Sequence, residues 1–203
     1  MGRFIARIHL VGRRQTFRHR HDISIERLGS DAIAYLLSNN FMPGHLEQAY
    51  WTLADDLLRI IKQRFEQAGS FSTLRLHGDC HRGNVLWTDR GPHFVDLDDC
   101  CNGPAIQDLW MLLSGERNEM TVQMIDLLEG YNEFASLDMA EMHMIEALRT
   151  LRMMHYASWL ARRWHDPAFP QAFPWFNTIQ YWEQHILELR EQLARMQEPV
   201  LTV

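Results

Sequence analysis

The stretch His77-Gly78-Asp79-Cys80-His81-Arg82-Gly83-Asn84, followed by Val95-Asp96-Leu97-Asp98-Asp99, gathers the convergent polar chemistry of this 203-residue chain. Three short β-prone runs frame it, at residues 73–76, 85–87 and 93–95, and the turn Asp89-Arg90-Gly91-Pro92 joins the last two. A loop between two apolar strands therefore presents Asp79 and Asn84, and a third strand delivers Asp96 at its end. On either side the apolar residues return to helical spacing, so the pattern predicts a mainly α chain with one small β hairpin region that carries the site.

Outward from the loop, a short amphipathic helix is expected from Gly2 to about Val11. A long one is expected from Gly44 to Ala68, with Leu46, Tyr50, Leu53, Leu57, Ile60 and Phe65 on one stripe. Downstream, helical spacing covers 105–114, then 118–134, then a helix opening at Asp138 with Glu141 placed as in a capping box. That third helix is apolar on most faces over 148–160, which makes it central. Asp166-Pro167 and Phe173-Pro174 interrupt it, and a last helix aligns Ile179, Trp182, Ile186, Leu189, Leu193 and Met196 as a core stripe. The polar run Arg18-His19-Arg20-His21 reads as a solvated loop.

Composition narrows the function classes. A hydrophobic content of 46% suits one substantial core, and a net charge of −6 offers no basic field for nucleic acid. No apolar run is long enough to span a bilayer, and arginines interrupt the apolar residues of the opening segment where a signal peptide would need a continuous core. Three cysteines, Cys80, Cys100 and Cys101, cannot all pair internally, which suits a reducing compartment. A cytoplasmic protein without nucleic-acid or membrane partners is expected. Lys62 is the only lysine.

Phosphoryl transfer from ATP needs a carboxylate to orient and deprotonate the attacking hydroxyl, and two oxygen ligands for the Mg²⁺ that neutralises the phosphates. Asp79, Asn84 and Asp96 supply that set, in the order and spacing of the kinase catalytic and metal loops. Two other readings fit the same residues. One is a polar turn capped by its own Asp and Asn side chains. The other is a transition-metal site of His77, Asp79, Cys80 and His81 with Cys100 or Cys101; neighbours on one loop rarely point at one ion, and no Cys-x-x-Cys spacing supports it. His81 is expected to brace the loop, and His77 to be a buried scaffold residue. Against protein kinases, Gly78 stands where an arginine often precedes the catalytic aspartate, and Asp96-Leu97-Asp98 replaces Asp-Phe-Gly. The stretch from Asp96 to Gly103-Pro104 has no room for a long activation loop, so switching by loop phosphorylation is not expected.

The segment Leu76-His-Gly-Asp-Cys-His-Arg-Gly-Asn-Val-Leu-Trp, with Phe94-Val-Asp-Leu-Asp-Asp and Asn102-Gly-Pro-Ala-Ile-Gln-Asp-Leu-Trp-Met, resembles the aminoglycoside/choline phosphotransferase-like superfamily, and within it a branch that phosphorylates proteins on Ser/Thr. The likeness reaches the opening Gly2-Arg-Phe-Ile-Ala-Arg-Ile-His and Arg162-Arg-Trp-His-Asp-Pro-Ala-Phe-Pro, and so covers the whole chain. It implies Asp79 as proton acceptor, Asn84 and Asp96 as Mg²⁺ ligands with Asp96 counted among the catalytic residues, Asp108 as a loop-bracing residue, and Asp98 as a support for the metal. It implies ATP as donor, Mg²⁺ as cofactor, protein Ser/Thr as acceptor and a monomer when intact. Such enzymes begin with a β-rich lobe whose lysine grips the ATP phosphates. Neither precedes the loop here, and Lys62 sits on a helix of the other lobe. The expectation is a C-terminal catalytic lobe over 1–203, with its catalytic and metal loops at 77–99 and the N-terminal lobe absent. A small-molecule kinase of the aminoglycoside or choline type, and an inactive truncated binding module, are the alternatives.

Overall fold

Helical periodicity and turn residues translate into twelve regular elements in the computed structural model, which describes residues 1–203. Helices α1 (Gly2–Gly12), α2 (Asp31–Ser38) and α3 (Gly44–Ala68) come before strands β1 (Leu74–Leu76), β2 (Val85–Thr88), β3 (Gly91–Phe94) and β4 (Cys101–Gly103). Helices α4 (Ile106–Trp110), α5 (Arg117–Tyr131), α6 (Ile145–Arg163), α7 (Ala168–Ala172) and α8 (Ile179–Gln197) follow. The chain is mainly α with a small antiparallel strand region, as the pattern predicts. No helix is long and apolar enough to cross a membrane.

Two compact units divide the chain, each assembled from separated stretches: Met1–Ile23, Gln67–Ile145 and Val200–Val203 in one, Ser24–Glu66 and Glu146–Pro199 in the other. The second unit is helical, and its core joins Tyr50, Leu57 and Ile61 of α3, Leu151, Met154 and Leu160 of α6, and Trp182, Ile186 and Leu189 of α8. These are the stripes that the spacing marks, except that Ile179, at the first position of α8, lies exposed. Burying such stripes against one another supplies most of the stability of helices this long. Lys62 is exposed on α3.

In the first unit, the predicted single hairpin region is two separate two-stranded sheets. β2 and β3 form the expected hairpin, with Val85 opposite Phe94 and Thr88 opposite Gly91. β1 pairs instead with β4, Leu76 opposite Cys101. Cys101-Asn102-Gly103 has neither β-branched residues nor alternation, so nothing in its sequence marks it as a strand. Asn102 also fastens the opening segment to β4: its side chain donates to Phe17 O (3.0 Å) and to Asp22 Oδ1 (2.7 Å), and its backbone O accepts from Ile23 N (2.8 Å).

The capping box expected at Asp138 does not form. Asp138 caps a 3₁₀ turn, Met139–Met144, by accepting from Ala140 N (3.0 Å), while Glu141 turns inward to another helix and α6 starts only at Ile145. Helix α1 buries Ile5, Ala6 and His9. It comes so near β1 that a Cβ on Gly12 would lie 2.3 Å from Arg75 O, and this close approach is what lets His9 reach the interior.

Candidate active site

The loop between β1 and β2 is shaped by the backbone of Gly78. Its φ of +85° favours glycine, and an added Cβ would meet Asp99 O at 2.2 Å. A side chain at the position where protein kinases often carry arginine is thus excluded by backbone. Both ends of the adjoining peptides are gripped by α4. Asp108 Oδ1 accepts from Gly78 N (2.9 Å), Asp108 Oδ2 accepts from His77 N (2.9 Å), and Gln107 Nε2 donates to Gly78 O (3.0 Å). Asp108 is 1% exposed and pairs with the buried His9, whose Nε2 lies 3.0 Å from Oδ2. His9 Nδ1 lies 2.8 Å from Tyr131 Oη, and burial pushes that phenol up to about 12. With Nε2 protonated, His9 donates to the carboxylate and accepts from the phenol, so every polar atom of the buried trio is satisfied.

Asp79 emerges from this braced backbone half-buried, its side chain 15% exposed. Asn84 Nδ2 donates to Asp79 O (3.0 Å) and reaches Asp79 Oδ2 at 3.3 Å. His81 braces the loop as expected: its Nδ1 accepts from Gly83 N (2.9 Å), and its Nε2 stands 3.4 Å from Asp79 Oδ2. The hairpin ladder then brings the third residue in. Val95 N donates to Asn84 O (3.0 Å), and Asp96 is the next residue, in left-handed backbone with φ +61°. His77, buried as scaffold, has its Nε2 2.9 Å from Val95 O, tying the two loops together. Asp79, Asn84 and Asp96 are therefore brought to one corner. Asp98 is exposed and takes part through its backbone, its O accepting from Arg20.

A hard divalent cation fits what Asn84 and Asp96 offer. The Asn84 NH₂ is committed to Asp79, which leaves its amide oxygen without a protein partner, and the exposed Asp96 carboxylate makes no hydrogen bond or ion pair. An amide oxygen and a carboxylate suit Mg²⁺, with water completing the coordination. The transition-metal alternative fails on geometry. No three His, Cys, Asp or Glu side chains converge, and burial, with help from the charges of Asp108 and Asp79, pushes the Cys80 thiol well above its ordinary range, against thiolate ligation.

Sequence reasoning missed His9, Gln107, Tyr131 and Glu141. Only His9 carried a signal: it falls in helical register with Ile5 and Gly12 on the buried side of α1.

The chain belongs to the phosphotransferase enzyme family, whose model matches residues 1–145. It is 43% identical over 201 residues, 99% of its length, to stress response kinase A of Escherichia coli (strain K12). It is 42% identical over the same share to the serine/threonine protein kinase RdoA of Salmonella typhimurium. It spans 60% of the length of each of these relatives. Among solved structures, the microcompartment-associated aminopropanol kinase has the same fold, with a TM-score of 0.66 at 18% identity over 96% of this chain and 61% of that one.

Proposed function

We propose that this chain carries the catalytic and metal loops of an ATP- and Mg²⁺-dependent kinase that phosphorylates protein Ser/Thr hydroxyls, with Asp79 as proton acceptor and Asn84 and Asp96 as Mg²⁺ ligands. One observation carries the reading. The backbone bond from Val95 to Asn84 (3.0 Å) and the side-chain bond from Asn84 to Asp79 O (3.0 Å) join the three residues through loops fixed by Asp108 and His77. The names of the relatives support a protein acceptor, and membership of the phosphotransferase family supports ATP as donor with Mg²⁺.

Asp79 would orient the incoming hydroxyl and take its proton as the oxygen attacks the γ-phosphorus. Its half-burial strengthens that contact, and the Asn84 amide keeps the carboxylate aimed. Mg²⁺, when bound, neutralises the phosphate oxygens. Asn84 and Asp96 would hold it, the latter from left-handed backbone two residues past the end of β3.

The test joins to this chain the portion of stress response kinase A that it does not span and measures transfer of labelled γ-phosphate to a Ser/Thr-rich protein. Asp79→Asn is expected to lower the rate by about two orders of magnitude or more, the scale of a positioned base. Full activity in that variant would remove Asp79 from its role. Transfer to an amino alcohol but not to protein would overturn the acceptor and leave the loop chemistry standing.

A further inference from the structure

We propose that Glu141 is a positioning residue for the loop that carries Asp79, acting through α4. This rests on the reading of Asp79 as the reacting carboxylate.

Helix α4 has five residues, too few to hold itself by internal hydrogen bonds, and its N-cap, Ala105, offers no side-chain cap. Glu141 stands in for one. Its carboxylate, 3% exposed, accepts from Ile106 N at 2.9 Å, and the Ala105 amide also bonds to it. The next two residues along the helix are Gln107 and Asp108, which between them hold the N–H and C=O of Gly78 and the N–H of His77. At the far end of the helix Trp110 Nε1 donates to Gln107 Oε1 at 3.0 Å, and just beyond it Leu112 O accepts from Arg82 of the loop at 3.3 Å. A displacement at Ile106 is therefore passed directly to Gln107 and Asp108, the groups that set the backbone immediately before Asp79. Neither Glu141 nor Gln107 meets any atom of the reacting set directly, so the action is through position.

Charge adds a second property. Burial pushes the Glu141 carboxyl up to about 7; the Ile106 amide opposes the rise, Asp138 adds to it, and Arg13 and the Ala105 amide oppose it. The charged or titratable groups facing it are Arg13 at the end of α1, Asp138 on its own turn and Tyr131 on α5. Near neutrality Glu141 passes between a carboxylate, which binds the two amides by charge-assisted hydrogen bonds, and an acid, which binds them less strongly. The hold on the loop changes with it.

Amide resonances and hydrogen exchange of the labelled 203-residue chain, followed from pH 5.5 to 8.5, test this without requiring activity. The Ile106, Gly78 and His77 amides are expected to share one transition near pH 7. Glu141→Gln, close in shape, should abolish that shared transition. It should also speed exchange at Gly78 roughly tenfold relative to Met124 of α5. A response confined to Ile106, in the wild type or the variant, would make Glu141 a local cap and overturn the proposal. If Glu141→Gln does not fold, the wild-type titration decides alone, since Gly78 and His77 amides that do not follow Ile106 refute it. Full activity of the joined protein after Asp79→Asn would sink the functional reading and leave this result readable.

Discussion

Replacing Asp108 with Asn keeps the shape of the side chain and removes half of its accepting capacity, which makes it the sharpest perturbation of the loop's support. Asp108 accepts from Gly78 N on one oxygen and from His77 N and His9 Nε2 on the other, all within 3.0 Å. The best orientation of Asn puts its oxygen toward His77 and His9 and its NH₂ against the Gly78 N–H. One buried backbone donor is then unpaired, at about 1–3 kcal/mol, and the two remaining bonds lose their charge assistance, at about 1 kcal/mol each. The sum, about 3–5 kcal/mol, is a large part of the roughly 5–15 kcal/mol that holds a domain folded. Urea unfolding, followed by circular dichroism, should show a midpoint lower by about 1.5–2.5 M at a slope near 2 kcal/mol per molar. Hydrogen exchange should show Gly78 opening before the body of α5. A loss under about 1 kcal/mol, with Gly78 as protected as in the wild type, would refute the brace.

Two further predictions concern the rest of the molecule. His185 is buried between the rings of Tyr50 and Tyr181 with Nε2 unpartnered, and burial pushes it down to about 4. Because its folded value lies below the unfolded one, stability of the second unit should be level above about pH 6.5 and fall by about 3 kcal/mol as the pH drops toward 4. His185→Phe should flatten that decline in thermal melts, and an unchanged slope would contradict it. The 203-residue chain by itself should bind Mg·ATP no more tightly than the millimolar range, about −4 kcal/mol, since the loop offers two oxygen ligands and its only lysine, Lys62, lies exposed on α3. Micromolar affinity by calorimetry would mean that another group grips the phosphates.

The candidate triad was legible because its chemistry is local: Asp79, Asn84 and Asp96 lie on one loop and the strand pair that follows it. The long helices were legible because burial along one face leaves a periodic trace, as at Tyr50, Leu53 and Leu57. What escaped depends on partners far apart in the chain. The β4 strand exists because Asn102 has Phe17 and Asp22 to hold and Leu76 beside it, none of which its own three residues imply. Glu141 sits three positions after Asp138, as a local capping box requires, yet the bare N-terminus of α4 competes for its carboxylate and wins, so the local pattern misleads. Gly78 departs from the protein-kinase motif, and its φ of +85° and the nearness of Asp99 O explain why glycine stands there.

The interleaving of the two units sets a timetable for synthesis. The segment Met1–Ile23 is made well before its anchor Asn102 and the residues Asp108, Tyr131 and Glu141 that meet His9 or brace the loop, since the excursion Ser24–Glu66 and strands β1 to β3 come between. At typical elongation rates the wait from Ile23 to Glu141 is on the order of ten seconds, far longer than a helix needs to form. Throughout it, α1 holds His9 and Ile5 with nothing to pack against, and its outer residue Val11 is exposed even in the finished fold. The nascent chain should therefore need a chaperone at α1, and slowing translation before Asn102 should lower the yield of soluble protein more than slowing it after Glu141.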